Sequence, residues 1–434
     1  MAKPITRVCM ATDIPFWLGS TGAEQRMSAL ATFLSKPPFS LSVFYVNQVS
    51  PDDLDRIERL DIDVTFFESE RPPDAFLQRI KQHSDSTKNQ LEKWLRRSTG
   101  STSESLPPTP IRLEDYRWPW TLEQFRRHLD RVKPHAIICQ YVTMAHLLDA
   151  LSPTDRKRIH CILDTHDILH ELGLQSNTAG YLHWLEISQR DEIEVWNRFD
   201  TVIAIQPQEA ELIQSLTNKP KVIVVGHAMT HLLEESAAAE TIVTEGRVTI
   251  GYIGSANYSN WHALNRFLIE VWPDLLELTN VEVQFVIAGK ICEWFQLVST
   301  DRNDGHLMNR VRLLGPVEDL ATFYRQIDLA INPVQFGTGL KIKNVESLAF
   351  GKPLVTTESG ATGMSERALT GCLVARNFQE MSSQLGSLCQ SIEGRMKLSE
   401  IAKDLAKTEF SENSAFSELS ELLENLHQTR QYSV

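Results

Sequence analysis

The chain has 434 residues, which is too long for one hydrophobic core and suits two or three domains. Its formal net charge of -13 argues against a general nucleic-acid-binding protein, because phosphate backbones select positively charged surfaces. No apolar run reaches the length of a membrane span, and the residues before the first strand lack the apolar core expected of a signal peptide. The six cysteines form no CxxC pair, which predicts reduced, buried thiols and a cytoplasmic protein.

The first part of the chain alternates apolar strands with helical segments. The predicted elements are a strand at 7–14, a helix at 23–34, and strands at 41–46 and 64–67. A strand, a glycine loop, a helix and a strand in this order are typical of a doubly wound parallel sheet, which binds ligands at the carboxyl ends of its strands. The loop after the first strand is therefore a candidate ligand loop, and its glycines are Gly19 and Gly22.

Residues 70–120 depart from this alternation. Short amphipathic segments with mostly basic charges precede residues 98–110, which are rich in serine, threonine, glycine and proline. We predict an irregular helical insertion with a flexible loop. A basic amphipathic helix can rest on an anionic membrane, but the interrupted apolar stripe favours a solvated helix packed on its own domain. Peripheral membrane contact stays open as the alternative.

The rest of the chain predicts a second domain of the same kind. Residues 184–199 predict a helix, residues 221–225 the last strand of the first sheet, and residues 248–374 a second set of strands. The predicted division is an N-terminal domain at 1–231, a linker at 232–246, a C-terminal domain at 247–410 and a terminal helix at 411–434. Packing of that helix back on the N-terminal domain is one option.

A strand, a glycine loop and a helix follow one another within residues 327–349. The apolar residues 327–331 predict a buried strand, Gly337 and Gly339 lie in the loop, and apolar residues then recur at helical spacing. The N-terminus of a helix after such a loop presents free N–H groups and the positive end of a dipole, which together bind anions such as phosphate. Lys341 and Lys343 add positive charge at that point, where lysine opposes the helix dipole and is a poor choice for stability alone.

A longer pattern around this loop resembles the donor-nucleotide loop of the retaining GT-B glycosyltransferases, and most of all their family four. The residues that carry the resemblance are Pro333, Gly337, Gly339, Leu340, Lys341, Lys343, Glu346, Ala349, Gly351, Pro353, Gly360 and Gly363. It implies an α/β fold with two Rossmann-like, doubly wound domains facing a cleft. It also implies transfer of a sugar from a nucleotide-diphosphate sugar to an acceptor hydroxyl of a glycan, a lipid-linked or a small molecule, with retention. Neither a metal nor a cofactor beyond the donor substrate is implied.

The resemblance also assigns roles to individual residues. The segment from Asp164 to Asp167 resembles the family's strand-end histidine near the transferred sugar, so we predict His166 and Asp167 as catalytic residues, with Asp167 or Asp164 orienting the ring. Glu346 matches a glutamate that binds the donor ribose. The predicted donor-binding residues are Gly19, Gly22, Lys290, Gly337, Thr338, Gly339, Leu340, Lys341, Lys343, Glu346 and Gly363.

The chain departs from the family pattern at two places. Thr338 stands where the pattern has a first glutamate, and Ser255 and Asn260 stand near where many members carry arginine and lysine for the diphosphate. These departures leave Lys341 and Lys343 as the best candidates for the diphosphate.

Three alternatives to the transferase remain. One is a nucleotide-sugar epimerase of the same fold, and another is a catalytically silent protein that binds nucleotide sugars, which the two departures motivate. The third is a zinc hydrolase, because His166 and His170 have the spacing of two helical zinc ligands. The third is the weakest, since the first histidine closes a strand and no third ligand is obvious.

Overall fold

The computed structural model describes residues 5–19, 21–67, 78–79, 111–178, 183–229, 246–299, 310–317 and 319–431. Within these ranges the chain forms two parallel sheets. The first has the strand order β3-β2-β1-β4-β5-β6-β7 and the second has the order β10-β9-β8-β11-β12-β13. In each sheet the chain switches sides, between β1 and β4 and between β8 and β11. Loops diverge at such a switch and leave a crevice at the carboxyl ends of the strands.

The first sheet and its helices make up the N-terminal domain. Its strands and helices are β1 (Thr6–Thr12), α1 (Gly22–Leu34), β2 (Phe39–Gln48), α2 (Pro51–Arg59), β3 (Asp63–Phe67), α3 (Pro119–Val132), β4 (Ala136–Gln140), α4 (Pro153–Arg158), β5 (His160–Asp164), α5 (Leu169–Thr178), α6 (Gln189–Trp196), β6 (Thr201–Ala204), α7 (Pro207–Leu216) and β7 (Lys221–Val224). Short 3-10 helices span Phe16–Leu18, Leu113–Tyr116 and Val142–Ala150. The side chains of Val8 to Ala11 are fully buried, as expected for a strand covered by helices on both faces.

The second sheet and its helices make up the C-terminal domain. Its strands and helices are β8 (Arg247–Ile253), α8 (Tyr258–Glu270), α9 (Trp272–Leu278), β9 (Glu282–Ala288), α10 (Ile291–Ser299), β10 (Val311–Gly315), α11 (Leu320–Arg325), β11 (Leu329–Asn332), α12 (Ile342–Ala349), β12 (Leu354–Thr357), α13 (Glu358–Ala361), α14 (Glu366–Leu369), β13 (Cys372–Ala375), α15 (Phe378–Gln390) and α16 (Ile392–Thr408).

The end of the chain returns to the N-terminal domain. After α16 come α17 (Glu412–Ala415) and α18 (Ser417–Gln431). Phe416, Leu419 and Leu423 are buried in the same apolar cluster as Val8 and Met10 of β1. The Thr6 hydroxyl donates a hydrogen bond to the Leu423 carbonyl oxygen at 3.3 Å. The C-terminal helices therefore tie one domain to the other through apolar packing.

One helix is shorter in the structure than its apolar pattern predicts. The sequence predicts a helix over 184–199, whereas the structure has α6 only at Gln189–Trp196. The Ser188 side chain accepts a hydrogen bond from the Asp191 amide and starts the helix there, so the residues before it remain extended. The linker predicted at 232–246 lies outside the described residues apart from Gly246, and so does most of the insertion predicted at 70–120. No helix among the described residues combines the length and apolarity needed to cross a membrane.

Candidate active site in the cleft between the domains

A cavity of about 360 Å³ lies between the two domains, at the carboxyl ends of both sheets. Its walls combine the loop after β1 and the start of α1 with the loops after β8, β9 and β11 and the start of α12. Ten of the predicted site residues line it, namely Gly19, Gly22, His166, Asp167, Lys290, Gly337, Leu340, Lys341, Lys343 and Glu346. The residues singled out from separate parts of the sequence thus share one cavity.

The glycine loop after β11 is held by the lysine that follows it. Gly337 and Gly339 have positive φ angles of 125° and 73°. The Lys341 ammonium donates to the carbonyl oxygens of Thr338 at 2.7 Å and Gly339 at 2.8 Å. Burial lowers the pKa of Lys341 to about 8, while the carboxylate of Asp167 opposes that shift. The sequence predicts a free ammonium group at Lys341. In the structure this ammonium also holds the glycine loop closed, because the carbonyl oxygens of the loop point toward it.

Helix α12 begins at the cavity without a side-chain cap. Lys341 is its N-cap residue and provides no capping hydrogen bond from its side chain. Ile342 and Lys343, the first two helical residues, line the cavity. The positive end of the helix dipole therefore points toward the space where an anion would sit.

The second lysine is anchored to strand β8 and helix α8. The Lys343 ammonium donates to the Tyr252 hydroxyl at 2.6 Å and to Asn260 Oδ1 at 2.7 Å, and it lies 4.3 Å from the centre of the Tyr252 ring. Burial lowers the pKa of Lys343 to about 7, and the carboxylate of Glu346 opposes this shift. Asn260 lies near the place where the family pattern often has basic residues, and here its side chain accepts a hydrogen bond from a lysine of another element.

Glu346 faces the cavity from the second turn of α12. It is 4% exposed, and its Oε2 atom accepts a hydrogen bond from the Tyr324 hydroxyl at 3.2 Å. Burial raises its pKa, whereas hydrogen bonds from Tyr324 and from Gln25 of the other domain lower it. The carboxyl group is thus fixed at the boundary between the domains.

The start of α1 forms the opposite wall. Thr21 and Glu24 make a capping box, in which each side chain bonds the backbone of the other residue. A Cβ atom on Gly22 would lie 2.8 Å from Cγ1 of Ile342, so only glycine fits where the two helix N-termini meet. Gly19, with φ at +60°, ends the preceding 3-10 helix and also lines the cavity.

His166 lies at the end of β5 in a left-handed backbone conformation, with φ at +60°. Its ring stacks on Tyr141 with centroids 4.3 Å apart, and its Nε2 atom lies 2.5 Å from Oε1 of Gln140. Because a carbonyl oxygen can only accept, the proton is assigned to Nε2. Burial lowers the pKa of His166 to about 4, so the ring is neutral near pH 7.

The partner of His166 differs from the sequence expectation. Asp164 Oδ2 lies 3.8 Å from Nε2 of His166 and forms a buried ion pair with Arg26 at 2.5 Å. Gln140 makes the hydrogen bond that was expected from an aspartate. It belongs to the neighbouring strand β4, a position that sequence separation alone does not reveal.

Asp167 joins the two domains. Its Oδ1 atom accepts a hydrogen bond from the Thr338 hydroxyl at 3.1 Å, and a Cβ atom on Gly339 would lie 2.8 Å from the same oxygen. Burial raises its pKa to about 6, and the nearby Lys341 opposes the shift. A carboxyl group of the N-terminal domain thus lies against the loop in which the family pattern has a glutamate.

Three predicted donor-binding residues do not line this cavity. Thr338 turns toward Asp167 and lines a second cavity instead. Gly339 provides the close approach to Asp167 described above. A Cβ atom on Gly363 would lie 2.2 Å from Oε1 of Gln206 and 2.9 Å from Cα of Leu340, so this glycine allows tight packing behind the loop.

Sequence reasoning missed several lining residues. Tyr141 follows β4 with φ at +64° and has no local sequence signature. Asn257 and Ser259 belong to the turn that starts α8, where the Asn257 side chain accepts a hydrogen bond from the Asn260 amide. An asparagine shortly after a strand is a recognisable helix cap and could have marked this loop.

His170 has a structural role. Its Nδ1 atom lies 2.7 Å from Oε2 of Glu192, and the same carboxylate accepts hydrogen bonds from the amides of Leu169 and His170 at 2.9 and 2.8 Å. Glu192 therefore caps the start of α5. Among the described residues no group of three or more histidine, cysteine or acidic side chains could hold a metal ion. The zinc hypothesis gains no support.

Residues 247–391 match the family model described as Glycosyl transferases group 1. The match covers most of the second domain, which is therefore similar to a group 1 glycosyltransferase domain. The matched range contains the glycine loop, Lys341, Lys343 and Glu346 of the cavity. No curated protein matches the sequence of the chain at a significant level.

Solved structures resemble the whole chain in fold. Sucrose-phosphate synthase from Thermosynechococcus elongatus has a TM-score of 0.66 at 11% identity, covering 98% of this chain and 100% of the other. Anabaena HepE in complex with UDP-glucose has a TM-score of 0.64 at 14% identity, covering 96% and 99%. The pneumococcal O-GlcNAc transferase GtfA in complex with UDP and GlcNAc has a TM-score of 0.62 at 12% identity, covering 97% and 99%. The prediction of two Rossmann-like domains in the GT-B arrangement is confirmed.

Proposed function

We propose that this protein is a retaining glycosyltransferase that moves a sugar, a hexose in our hypothesis, from a nucleotide-diphosphate sugar to an acceptor hydroxyl. The observation that carries the proposal is the arrangement across the cleft. The uncapped start of α12, with Lys341 and Lys343, faces His166 and Asp167 of the other domain. One wall can therefore hold a diphosphate while the other holds the sugar.

The diphosphate would be stabilised by fixed positive groups. When the bond between the sugar C1 atom and the phosphate oxygen breaks, the nucleoside diphosphate leaves with the electron pair and gains negative charge. Preorganised helix dipoles and ammonium groups stabilise such a leaving group more than water does, since they need no reorganisation. Lys341 and Lys343 would supply that charge, with Lys290 as a further candidate, and Glu346 would accept hydrogen bonds from the ribose hydroxyls.

The opposite wall would hold the transferred sugar. The neutral His166 ring is fixed by Gln140 and Tyr141, so it can exchange hydrogen bonds with a sugar hydroxyl but carries no charge near pH 7. The family pattern has a carboxylate for the sugar at position 338, where this chain has Thr338. Here Asp167 would provide that carboxylate. With retention, the acceptor oxygen bonds to C1 on the face from which the diphosphate departs, and the departing phosphate receives the acceptor proton.

The proposed donor class agrees with what has been seen in the similar structures. HepE was solved with UDP-glucose, and GtfA with UDP and GlcNAc. We extend this to a nucleotide sugar for our chain, with a cytoplasmic location and either a soluble or a membrane-bound acceptor. The departures at Thr338 and Asn260 keep a silent binding protein as the second candidate.

The test is incubation with UDP, GDP and ADP sugars and calorimetry of donor binding. Transfer or hydrolysis of one donor supports the proposal, interconversion of sugars indicates an epimerase, and binding without turnover indicates the silent protein. The anomeric configuration of any product, measured by NMR, decides between retention and inversion.

Lys341→Met keeps the aliphatic stem but removes the ammonium, so we expect nucleotide-diphosphate binding to weaken about tenfold. Lys407→Met at the exposed end of α16 is the matched control. Equal affinity in both variants would show that Lys341 does not hold the diphosphate.

A further inference from the structure

A small cavity of about 160 Å³ lies in the C-terminal domain, at the end of the second sheet that is opposite the cleft. Asp328 and Pro353 line it, and they directly precede β11 and β12. They therefore stand at the amino ends of these strands, whereas the cleft lies at the carboxyl ends. The function proposed above makes no use of this cavity.

One face of α16 forms another wall of this cavity. Arg395, Ser399 and Lys403 line it, and their spacing of four residues puts them on the same side of the helix. The stem of Lys403 crosses the end of α12, because a Cβ atom on Gly351 would lie 2.6 Å from Cε of Lys403. The glycine thus lets the lysine stem lie against the backbone beside the cavity.

Two buried side chains of this wall have hydrogen-bond donors left over. Arg395 is 5% exposed, and its Nη1 atom donates to the carbonyl oxygens of Leu388 at 2.7 Å and Cys389 at 2.9 Å. Its Nε and Nη2 atoms, and the hydroxyl of Ser399, form no hydrogen bond within the part of the chain that the structure describes. Ser399 is 8% exposed, and none of these three atoms is sealed off, so they can be reached from the cavity that both residues line. Buried polar groups are usually satisfied, which indicates a ligand that accepts hydrogen bonds here.

The charges around the cavity favour an anion. Among the described residues, the lining has the cations Arg395 and Lys403 and the carboxylates Asp328 and Glu400. A further cation, Lys352, is 4% exposed, and its ammonium has no hydrogen-bond partner in the described structure. Burial lowers the pKa of Lys352 to about 8, while the charge of Asp328 opposes this shift and that of Lys403 adds to it, so Lys352 lies near both. The ammonium is mostly charged near pH 7, which leaves an excess of positive charge for a ligand to balance.

The size of the cavity and the state of Asp328 narrow the choice of anion. A volume of about 160 Å³ is roughly five times that of a water molecule in the liquid, which is room for one phosphate group but not for a nucleotide. Oδ2 of Asp328 accepts a hydrogen bond from the Thr249 amide at 2.7 Å. Burial raises the pKa of Asp328, whereas this amide and the charges of Arg395 and Lys352 lower it. The carboxylate is therefore partly neutralised and leaves the cavity open to an anion.

We propose that this cavity binds one phosphate group, carried by inorganic phosphate or by a small phosphate monoester. The free N–H groups of Arg395 and the hydroxyl of Ser399 would donate to the phosphate oxygens, and the ammonium groups of Lys403 and Lys352 would balance the charge. The length of β11 and β12 separates this site from the place proposed for the donor diphosphate, by more than about 10 Å. Phosphate binding here does not depend on the proposed function.

Two variants that should change the affinity in opposite directions test the site. Lys403→Met keeps the aliphatic stem beside Gly351 but removes a positive charge, so phosphate should bind about fivefold more weakly. Asp328→Asn removes a negative charge and keeps an oxygen for the Thr249 amide, so phosphate should bind about threefold more tightly. Lys407→Met, one turn further along the same helix and outside the lining of the cavity, is the matched control.

The measurement is a phosphorus NMR titration of inorganic phosphate and of glycerol 3-phosphate at constant ionic strength, with and without UDP. UDP would fill the cleft, so the binding that remains in its presence reports the small cavity. We expect one phosphate to bind per chain, most tightly in Asp328→Asn, less tightly in wild type and Lys407→Met, and most weakly in Lys403→Met. Tighter binding of inorganic phosphate would identify the free ion as the ligand, and tighter binding of glycerol 3-phosphate would identify a monoester; both outcomes support the site.

The proposal is overturned if neither probe binds in the presence of UDP, or if Lys403→Met binds phosphate like wild type. It is also overturned if Asp328→Asn binds phosphate no more tightly than wild type, or if Lys407→Met loses as much affinity as Lys403→Met. Failure of the proposed function looks different, since UDP would then fail to bind while the order of the four proteins toward phosphate stays the same.

Discussion

We expect binding of the proposed donor to depend on pH through the pKa of Lys343. Burial lowers this pKa to about 7, and only the protonated ammonium attracts a diphosphate. The lysine is about nine-tenths protonated at pH 6 and about one-tenth protonated at pH 8. If donor binding requires the charged form, the Kd rises about tenfold over this interval, or about 1.4 kcal/mol, and affinity is highest below pH 7. Lys341, with a pKa of about 8, adds at most about a factor of two at pH 8.

The assay is calorimetry with UDP-glucose at pH 6, 7 and 8. Both phosphates of this donor are diesters, so the ligand itself does not titrate in the interval. Lys343→Met should bind more weakly at pH 6 and lose most of the pH dependence. Lys407→Met should keep it, because the residue lies on the exposed surface of α16. The reasoning is refuted if the Kd of wild type is constant from pH 6 to 8, or if Lys343→Met shows the same tenfold rise.

Three further predictions concern catalysis, closure of the cleft and stability. His166→Ala should lower turnover about a hundredfold while the donor Kd changes less than about threefold, since the ring would contact the sugar and not the diphosphate; parallel losses in both would contradict this. Gly22→Ala should raise the donor KM about tenfold because the new Cβ would lie 2.8 Å from Ile342. Adding Ile342→Ala to this variant should restore the donor KM. Gly173→Ala should leave the KM unchanged, because an added Cβ atom there would have no neighbouring atom within 4 Å. Phe416→Ala should cost about 3–5 kcal/mol in urea unfolding, because the ring is 1% exposed; a loss below about 1 kcal/mol would mean that the returning helices contribute little.

Much of the fold could be predicted from local patterns. Buried parallel strands appear as apolar runs, and β1, β9 and β11 all have this property, so their positions follow from residue types within a few neighbours. The two-domain organisation follows because the strand-and-helix alternation occurs twice. The start of α6 was missed, because the cap formed by Ser188 outweighs the apolar pattern before it.

The candidate site was predicted only in part. Residues that share a helix turn, such as Lys343 and Glu346, line the same cavity because their spacing of three residues puts them on one face of α12. The partners of these residues come from distant parts of the chain. Gln140 beside His166 is one example, and Tyr252 beside Lys343 is another. The order of strands in a sheet decides such neighbours, and no local pattern encodes that order.

The sequence by itself determined that two doubly wound domains follow one another and that a glycine loop with two lysines starts a helix in the second. Only the tertiary structure decided that this loop lies against Asp167 of the first domain, and that Thr338 turns to that carboxylate and away from the cavity. The physical reason is that hydrogen bonds across a cleft depend on how two separately folded sheets are oriented. Apolar packing sets that orientation, including the return of Phe416 to the first domain, over separations of hundreds of residues.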